Sequence, residues 1–292
     1  MSKQQGIVKV RHLNEMVRQQ AETLAIACRQ VESIELSIYL EEPRLGQEET
    51  NQIFYYQDDQ PVGVVCLSTG SSLEIMSMVH PAYRRQGIGQ ALLKAAFAEA
   101  DHRNIQKCLL ICEGASRSGL AFSEAVGGTY QFAEYQMVLD RDAFARSQPV
   151  KNTITFQQAT QDDLETLVSL RIASTQGDDQ NEEAVRQMTQ NYLQRTDQRY
   201  FIGSVNGQPI GMLRAEEDGQ NVGIYAFVVL PEYRGQGLGR QILRKMLDRL
   251  VSEDWHKIQL WVETENRNAL GLYERCGFRE TTTYRYYEVS GG

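Results

Sequence analysis

The sequence predicts an α/β protein made of two similar domains in tandem, and three observations carry that expectation. The chain is 292 residues long, about twice what one hydrophobic core usually organises. It repeats itself: displaced by 150 residues, HPAYRRQGIGQALL (His80 to Leu93) falls on LPEYRGQGLGRQIL (Leu230 to Leu243), with seven of fourteen positions identical. Each half also runs through the same succession of strand-like and helix-like segments. The period therefore reports duplication of a whole domain rather than a solenoid of short units.

The elements follow in order in both halves. A strand and helices come first, then a hairpin in which QDDQPVG (Gln57 to Gly63) matches VNGQPIG (Val205 to Gly211) at an offset of 148. Asn206-Gly207 is a strong two-residue turn signal between two apolar runs. The next strand reads LEIMSMV (Leu73 to Val79) in one half and VGIYAFVVL (Val222 to Leu230) in the other, each stopped by a proline. The repeated motif then opens an amphipathic helix, with Ile88, Leu92, Leu93, Ala96, Phe97 and Ala100 recurring as Leu238, Ile242, Leu243, Met246, Leu247 and Leu250. The apolar runs CLLICE (Cys108 to Glu113) and IQLWVE (Ile258 to Glu263) have the length of buried strands. A short helix and tyrosine-rich strands finish each half, and Tyr284, Tyr286 and Tyr287 either close an acceptor pocket or stand half-exposed. The polar stretch RSQPVKNT (Arg146 to Thr153) places the boundary between a domain over 1–146 and one over 147–292.

Composition narrows the function. No window approaches the 18 or more apolar residues of a membrane-spanning helix, and the first residues lack a signal-peptide core, so the expectation is a cytoplasmic protein with no membrane partner. The net charge of −8 is shared equally, each half carrying −4, which opposes a phosphate backbone and argues against nucleic acid. The odd number of cysteines, five, and their place in apolar runs speak against a disulfide framework. His12, His80, His102 and His256 are widely separated, and no Cys or His pair has zinc-site spacing, so no metal is expected.

Between a strand end and a helix start lie Arg84-Arg85-Gln86-Gly87-Ile88-Gly89 and Arg234-Gly235-Gln236-Gly237-Leu238-Gly239. Such a loop is suited to a pyrophosphate. The first helical turn offers unpartnered N–H groups and a positive dipole end, glycines allow close approach and positive φ, and arginines add charge. A dinucleotide fingerprint needs a third glycine where Leu92 and Ile242 stand, and a P-loop needs Gly-Lys followed by Ser or Thr; neither copy complies. Both copies resemble the signature Gln/Arg-x-x-Gly-x-Gly/Ala of the GNAT (Gcn5-related N-acetyltransferase) superfamily. NRNALGLYERCGF (Asn266 to Phe278) is similar to that family's second hallmark, and the order of elements resembles its fold over nearly the whole chain.

The resemblance implies two tandem GNAT-like domains, each with a mixed, mostly antiparallel sheet flanked by helices. It implies acetyl-CoA, or another acyl-CoA, with its pyrophosphate on the loop and its pantetheine along the strand edge near Val79 and Val229. It implies direct attack of an amine on the acyl carbon in a cleft where the fourth and fifth strands part. Tyr273 stands where the family places the acid that protonates the leaving thiolate, and Asn266 where an asparagine meets the pantetheine arm. A phenol of pKa about 10 suits that transfer. At the offset of 150, Ser123 and Ser116 occupy these places in the first half, so the expectation is that the second half catalyses and the first is structural, a cofactor-binding vestige, or a wall of the acceptor pocket. Glu113 and Glu263 end equivalent strands; Glu263 is the candidate general base, with a solvated strand-end carboxylate as the alternative. The acceptor is an amine of a small molecule or a protein, and a non-catalytic acyl-CoA sensor is the rival function.

Overall fold

The computed structural model describes residues 4–10, 14–32, 34, 50–70, 72–147, 150–174 and 181–291. Their contacts divide the chain into two compact units, Met1–Glu134 with Thr282–Gly292, and Tyr135–Thr281. The sequence places the division near residue 146, in a stretch whose Gln148 and Pro149 lie outside the described residues. The packing instead divides the chain within a strand and gives the first unit the last residues of the chain.

In the first unit follow β1 (Gly6–Val10), α1 (Glu15–Glu32), β2 (Gln52–Gln57), β3 (Gln60–Thr69), β4 (Leu73–Val79), α2 (Ile88–His102), β5 (Cys108–Glu113), α3 (Arg117–Ala125) and the start of β6 (Thr129–Leu139). The second holds the end of β6, then α4 (Arg141–Arg146), β7 (Thr155–Gln158), α5 (Leu164–Ser174), α6 (Glu182–Leu193), β8 (Gln198–Val205), β9 (Gln208–Asp218), β10 (Asn221–Val229), α7 (Leu238–Ser252), β11 (Lys257–Glu263), α8 (Arg267–Arg275) and the start of β12 (Phe278–Val289). The first unit orders its strands β1-β2-β3-β4-β5-β12, antiparallel except for β4 with β5. The second orders them β7-β8-β9-β10-β11-β6, and there β10 and β11 form the parallel pair. Each sheet is thus mixed and mostly antiparallel, as the resemblance implies.

The hairpins form as their turns dictate. Asn206 and Gly207 take φ of 49° and 80°, and Asp58 and Asp59 take 51° and 67°, the left-handed pair that matches strand twist. The repeated helices bury the stripe expected of them: Ile88, Leu92, Leu93, Ala96 and Ala100 in α2, and Leu238, Ile242, Leu243, Met246, Leu247 and Leu250 in α7. α7 can lie close to its sheet because Gly211 has no side chain; a Cβ there would stand 3.0 Å from Ile242 Cδ1 of the helix.

The tyrosines of β12 are not half-exposed. Tyr284, Tyr286 and Tyr287 are all buried and pair in register with Glu113, Ile111 and Leu110 of β5. Tyr287 joins the first unit's core, while Tyr286 stacks on Phe132 and donates to Glu134 Oε2 at 2.6 Å. The physical reason is pairing: without the carboxy-terminal residues, β5 would present an open edge. Substituting Tyr287→Ala should cost about 3 kcal/mol and speed amide exchange across Cys108–Glu113, far away in sequence. Unchanged exchange in β5 would contradict this assignment of the last strand.

Candidate functional site

The site of the second unit begins where two parallel strands part. β10 and β11 pair only from Asn221/Lys257 to Ile224/Leu260, after which Tyr225 to Val229 leave the ladder on that side. On its other side β10 pairs with β9 through a bulge, Ala226 and Phe227 together facing Leu213. Ala226 sits at φ 48°, a left-handed conformation that costs a non-glycine residue about 1 kcal/mol. Bulges of this kind interrupt pairing and re-aim side chains. Alternate residues then point to opposite faces: Phe227 and Val229 pack with the α7 and α8 core, Ala226 and Val228 with the α5 and α6 core.

A short 3-10 turn, Pro231–Tyr233, leads to the loop. Gly235 and Gly237 have φ of 72° and 77°, and Gly237 caps α7 without a side chain, so nothing from the cap covers the first-turn amides. Gln236 Nε2 bonds the Glu232 carbonyl at 2.8 Å, and Leu238 is buried and anchors the helix. A Cβ on Gly239 would come within 3.3 Å of Val229 Cγ2, so strand end and helix start are in near contact. Arg234 stays exposed but is tethered: its Nε donates to the Val229 carbonyl at 2.8 Å and its Nη2 to the Ser174 carbonyl at 3.2 Å. The role expected of it as a phosphate ligand is thus shared with one of tying the loop to β10 and α5.

α8 brings the remaining candidates. Asn266 is its N-cap, its Oδ1 accepting from the Ala269 amide at 3.2 Å. Tyr273 lies seven residues on, 9% exposed, with its ring 6.3 Å from that of Phe227 in the bulge and 6.0 Å from Phe278. Burial, with a smaller push from Cys276, raises its phenol to about 12. Glu263 is exposed at the end of β11, and its carbonyl accepts from the Asn266 amide at 3.0 Å. Trp261 stacks flat against Tyr225, centroids 5.5 Å apart, just beyond the last parallel pair.

The first unit repeats the parting but not the bulge. β4 pairs with β3 in unbroken register from Leu73 to Val79 and with β5 only as far as Met76/Ile111. Here a cavity of about 400 Å³ opens, lined by Ser77, Val79, Arg84, Gly87, Ser116 and Phe122 among others. Gly87 repeats the left-handed cap at φ 81°, while Arg85 holds φ 65° where the second copy has Gly235. Gln86 is exposed, Ile88 is buried beneath the helix start, and Gly89 leaves room for Phe122, whose ring a Cβ would approach to 3.0 Å. Arg84 Nε donates to the Val79 carbonyl at 3.1 Å, as Arg234 does to Val229, and its Nη1 lies 3.5 Å from Glu32 Oε2. Burial pushes the Glu32 carboxyl up, but hydrogen bonds from Ser118 and Ser116 and the charge of Arg84 outweigh it and hold the group below its usual range. Ser123, in the place of Tyr273, is fully buried and donates to the Gly119 carbonyl of its own helix at 3.0 Å.

All five cysteines are buried free thiols. Among the described residues no three His, Cys, Asp or Glu side chains gather where a metal could bind, and no helix is long and apolar enough to cross a membrane. His12 lies outside the described residues. Sequence reasoning missed the bulge, although a trace of it is visible: the offset between copies is 148 at Gly63 and Gly211 but 150 at Val79 and Val229, and one of the two added residues is the bulge.

Two sheets whose parallel strands part above a glycine-capped helix describe one class of protein, and residues 18–127 and 164–278 each match the model of the acetyltransferase (GNAT) family. The chain belongs to that family and carries its domain twice. A mycothiol acetyltransferase of Clavibacter sepedonicus is 28% identical over 235 residues, 76% of this chain and 75% of that protein. An uncharacterised N-acetyltransferase of Methanocaldococcus jannaschii is 27% identical over 139 residues, 44% of this chain; the match spans 62% of that relative's length. In fold, the chain is similar to a GCN5-related N-acetyltransferase from Sphaerobacter thermophilus, with TM-score 0.75 and 16% identity over 98% of this chain and 97% of that one. It is also similar to a tandem GNAT protein from the clavulanic acid biosynthesis pathway, with TM-score 0.70 and 16% identity over 98% and 99%.

The strain at Ala226 has a measurable consequence. Ala226→Gly should raise stability by roughly 1 kcal/mol, since glycine accepts positive φ freely, less what the freer unfolded chain takes back. A clear loss of stability in denaturant titration would contradict the left-handed bulge.

Proposed function

We propose that the chain moves an acetyl group from acetyl-CoA to a primary amine in the cytoplasm, with the chemistry in the second repeat, residues 147–292. The observation that carries this is the packing of the Tyr273 ring on Phe227, a residue of the bulge, beside the gap between β10 and β11. The first repeat, residues 1–146, has the gap and the loop but neither bulge nor phenol. The names of two relatives, an N-acetyltransferase and a mycothiol acetyltransferase, support acetyl transfer, the first of them to nitrogen.

In this account the free amides of Gly237, Leu238 and Gly239, with Gly235, Gln236 and Arg234 shaping the loop, hold the pyrophosphate at the positive end of α7. The edge of β10 near Val229 receives the pantetheine, and Asn266 meets it from the cap of α8. The amine nitrogen forms its bond to the acyl carbon as the carbon–sulfur bond breaks, and Tyr273 gives its proton to the departing thiolate. Glu263 takes the proton lost by the amine, through water. A phenol near 12 keeps its proton throughout the neutral range, so Tyr273 is always loaded as an acid, although the transfer is less downhill than from a phenol at 10. The cavity of the first unit supports acyl-CoA binding there too, at Val79, Arg84, Arg85, Gln86, Gly87, Ile88 and Gly89, without turnover.

Tyr273→Phe should lower kcat by about 10²- to 10⁴-fold in an assay of thiol release, with acetyl-CoA affinity nearly unchanged; an unaltered rate would remove the acid role. The raised phenol favours its neutral form, so its contribution is complete below pH 10 and is lost only as pH climbs through about 12. The kcat profile of the native protein should therefore show no loss between pH 7 and 10. A falling limb below pH 10 that vanishes in Tyr273→Phe would contradict a buried, always-protonated phenol.

A further inference from the structure

The second unit buries a charge that the first does without. Tyr200, Arg214 and Tyr225 are direct register partners across β8, β9 and β10, and Trp261 lies flat on Tyr225. The matching partners in the first unit are Gln52, Cys66 and Met76. The same fold is thus built once with a small thiol and once with an arginine at one place, so strand pairing and packing do not require the guanidinium.

Arg214 is 7% exposed. Its guanidinium carbon lies 3.9 Å from the centre of the Tyr192 ring and 5.2 Å from that of Tyr225. Nη2 pairs with Glu216 Oε2 at 3.1 Å, while Nε and Nη1 are buried with no hydrogen-bond acceptor. The Tyr192 and Tyr200 phenols lie beside the guanidinium and favour its charged form, each near enough to interact with it through its oxygen, but Nε and Nη1 are left without a well-formed hydrogen bond. Buried donors left unanswered are costly, and such groups in a native structure call for an acceptor. Arg214 also follows Leu213, the residue facing the bulge, and pairs with Tyr225, the last residue before it. It points to the α5 and α6 face, whereas Tyr273 belongs to the α7 and α8 face.

Resting on the acetyl-transfer account above, we infer that Arg214 sets acceptor specificity by binding a carboxylate of the amine substrate through Nη1. The acceptor class is an amine that carries a carboxylate a few bonds from the reacting nitrogen, entering from the α5 and α6 face. Tyr192, half-buried at the end of α6, is the ring that must yield to it. A carboxylate suits the site better than a phosphate, because Glu216 already neutralises part of the guanidinium and leaves too little charge for a dianion.

The test compares matched amines: glycine, β-alanine and 4-aminobutyrate, each against its carboxamide, with rates of thiol release expressed per free base. The acid of at least one pair should exceed its amide in kcat/KM by roughly 10- to 100-fold, through KM, as expected for one charge-assisted hydrogen bond. In Arg214→Gln that ratio should fall to near one, with Arg214→Lys between; melting curves identify a variant that does not fold, and the native ratio stands without any variant. Equal use of acid and amide by the native protein, or a ratio untouched by a folded Arg214→Gln, overturns the proposal while leaving acetyl transfer intact. Failure of acetyl-CoA to bind in a parallel titration sinks the transfer account instead. If no pair turns over, calorimetric titration of 4-aminobutyrate and its amide decides: tighter binding of the acid, lost in Arg214→Gln, supports the proposal, and equal or absent binding overturns it.

Discussion

The site depends on a limited parallel pairing: β10 and β11 share four register positions and then separate. A parallel ladder continued to the end of β10 at Val229 would close the gap and leave that end of the strand without a free edge. The separation is sustained from the opposite side, where the bulge at Ala226 and Phe227 adds a residue to β10 against β9 and turns the strand away from its regular course. Phe227 then has a place to pack, and Tyr273 packs on it. The helix α7 starts against the same strand end, fixed by Arg234 and by the near contact of Gly239 with Val229. Each candidate group is thus held relative to one discontinuity in one strand.

Duplication supplies an internal comparison. Both units part their parallel strands, cap the following helix with a left-handed glycine, and tie an arginine to the strand-end carbonyl. These shared features belong to the fold, and a helix start of this kind suits an anionic ligand. What differs is chemistry: in the first unit β4 runs without a bulge, Ser123 bonds its own helix, and Cys66 stands where Arg214 is buried. A left-handed alanine in a bulge and a buried guanidinium at this place in the sheet occur only in the unit that also carries Tyr273.

Much of this was legible in the residues. The repeat, the amphipathic stripes of α2 and α7, the Asn206-Gly207 turn and the glycine-capped loop depend on local patterning, and local patterning is what a sequence displays directly. The partner of β12 was not, because either of two equivalent sheets can accept a tyrosine-rich strand at its edge, and the choice rests on contacts between residues far apart in the chain. The tethering of Arg84 and Arg234 to the strand ends was hidden for a similar reason, since the Val79 and Val229 carbonyls become available only once the strands part. Tyr273 was identified by its place in a motif, whereas its raised pKa follows from burial against Phe227 and Phe278, which no spacing reveals. The bulge left only a change of offset from 148 to 150.

Hydrogen exchange of the full chain with and without saturating acetyl-CoA tests the central claim most directly, because it reports on the parted strand and the helix start residue by residue. The account predicts slowed exchange at Tyr225–Val229 and at Gly237–Gly239. No ligand-dependent change in those two segments, with or without protection around Val79 and Gly87, would contradict the assignment of the productive cleft to the second unit.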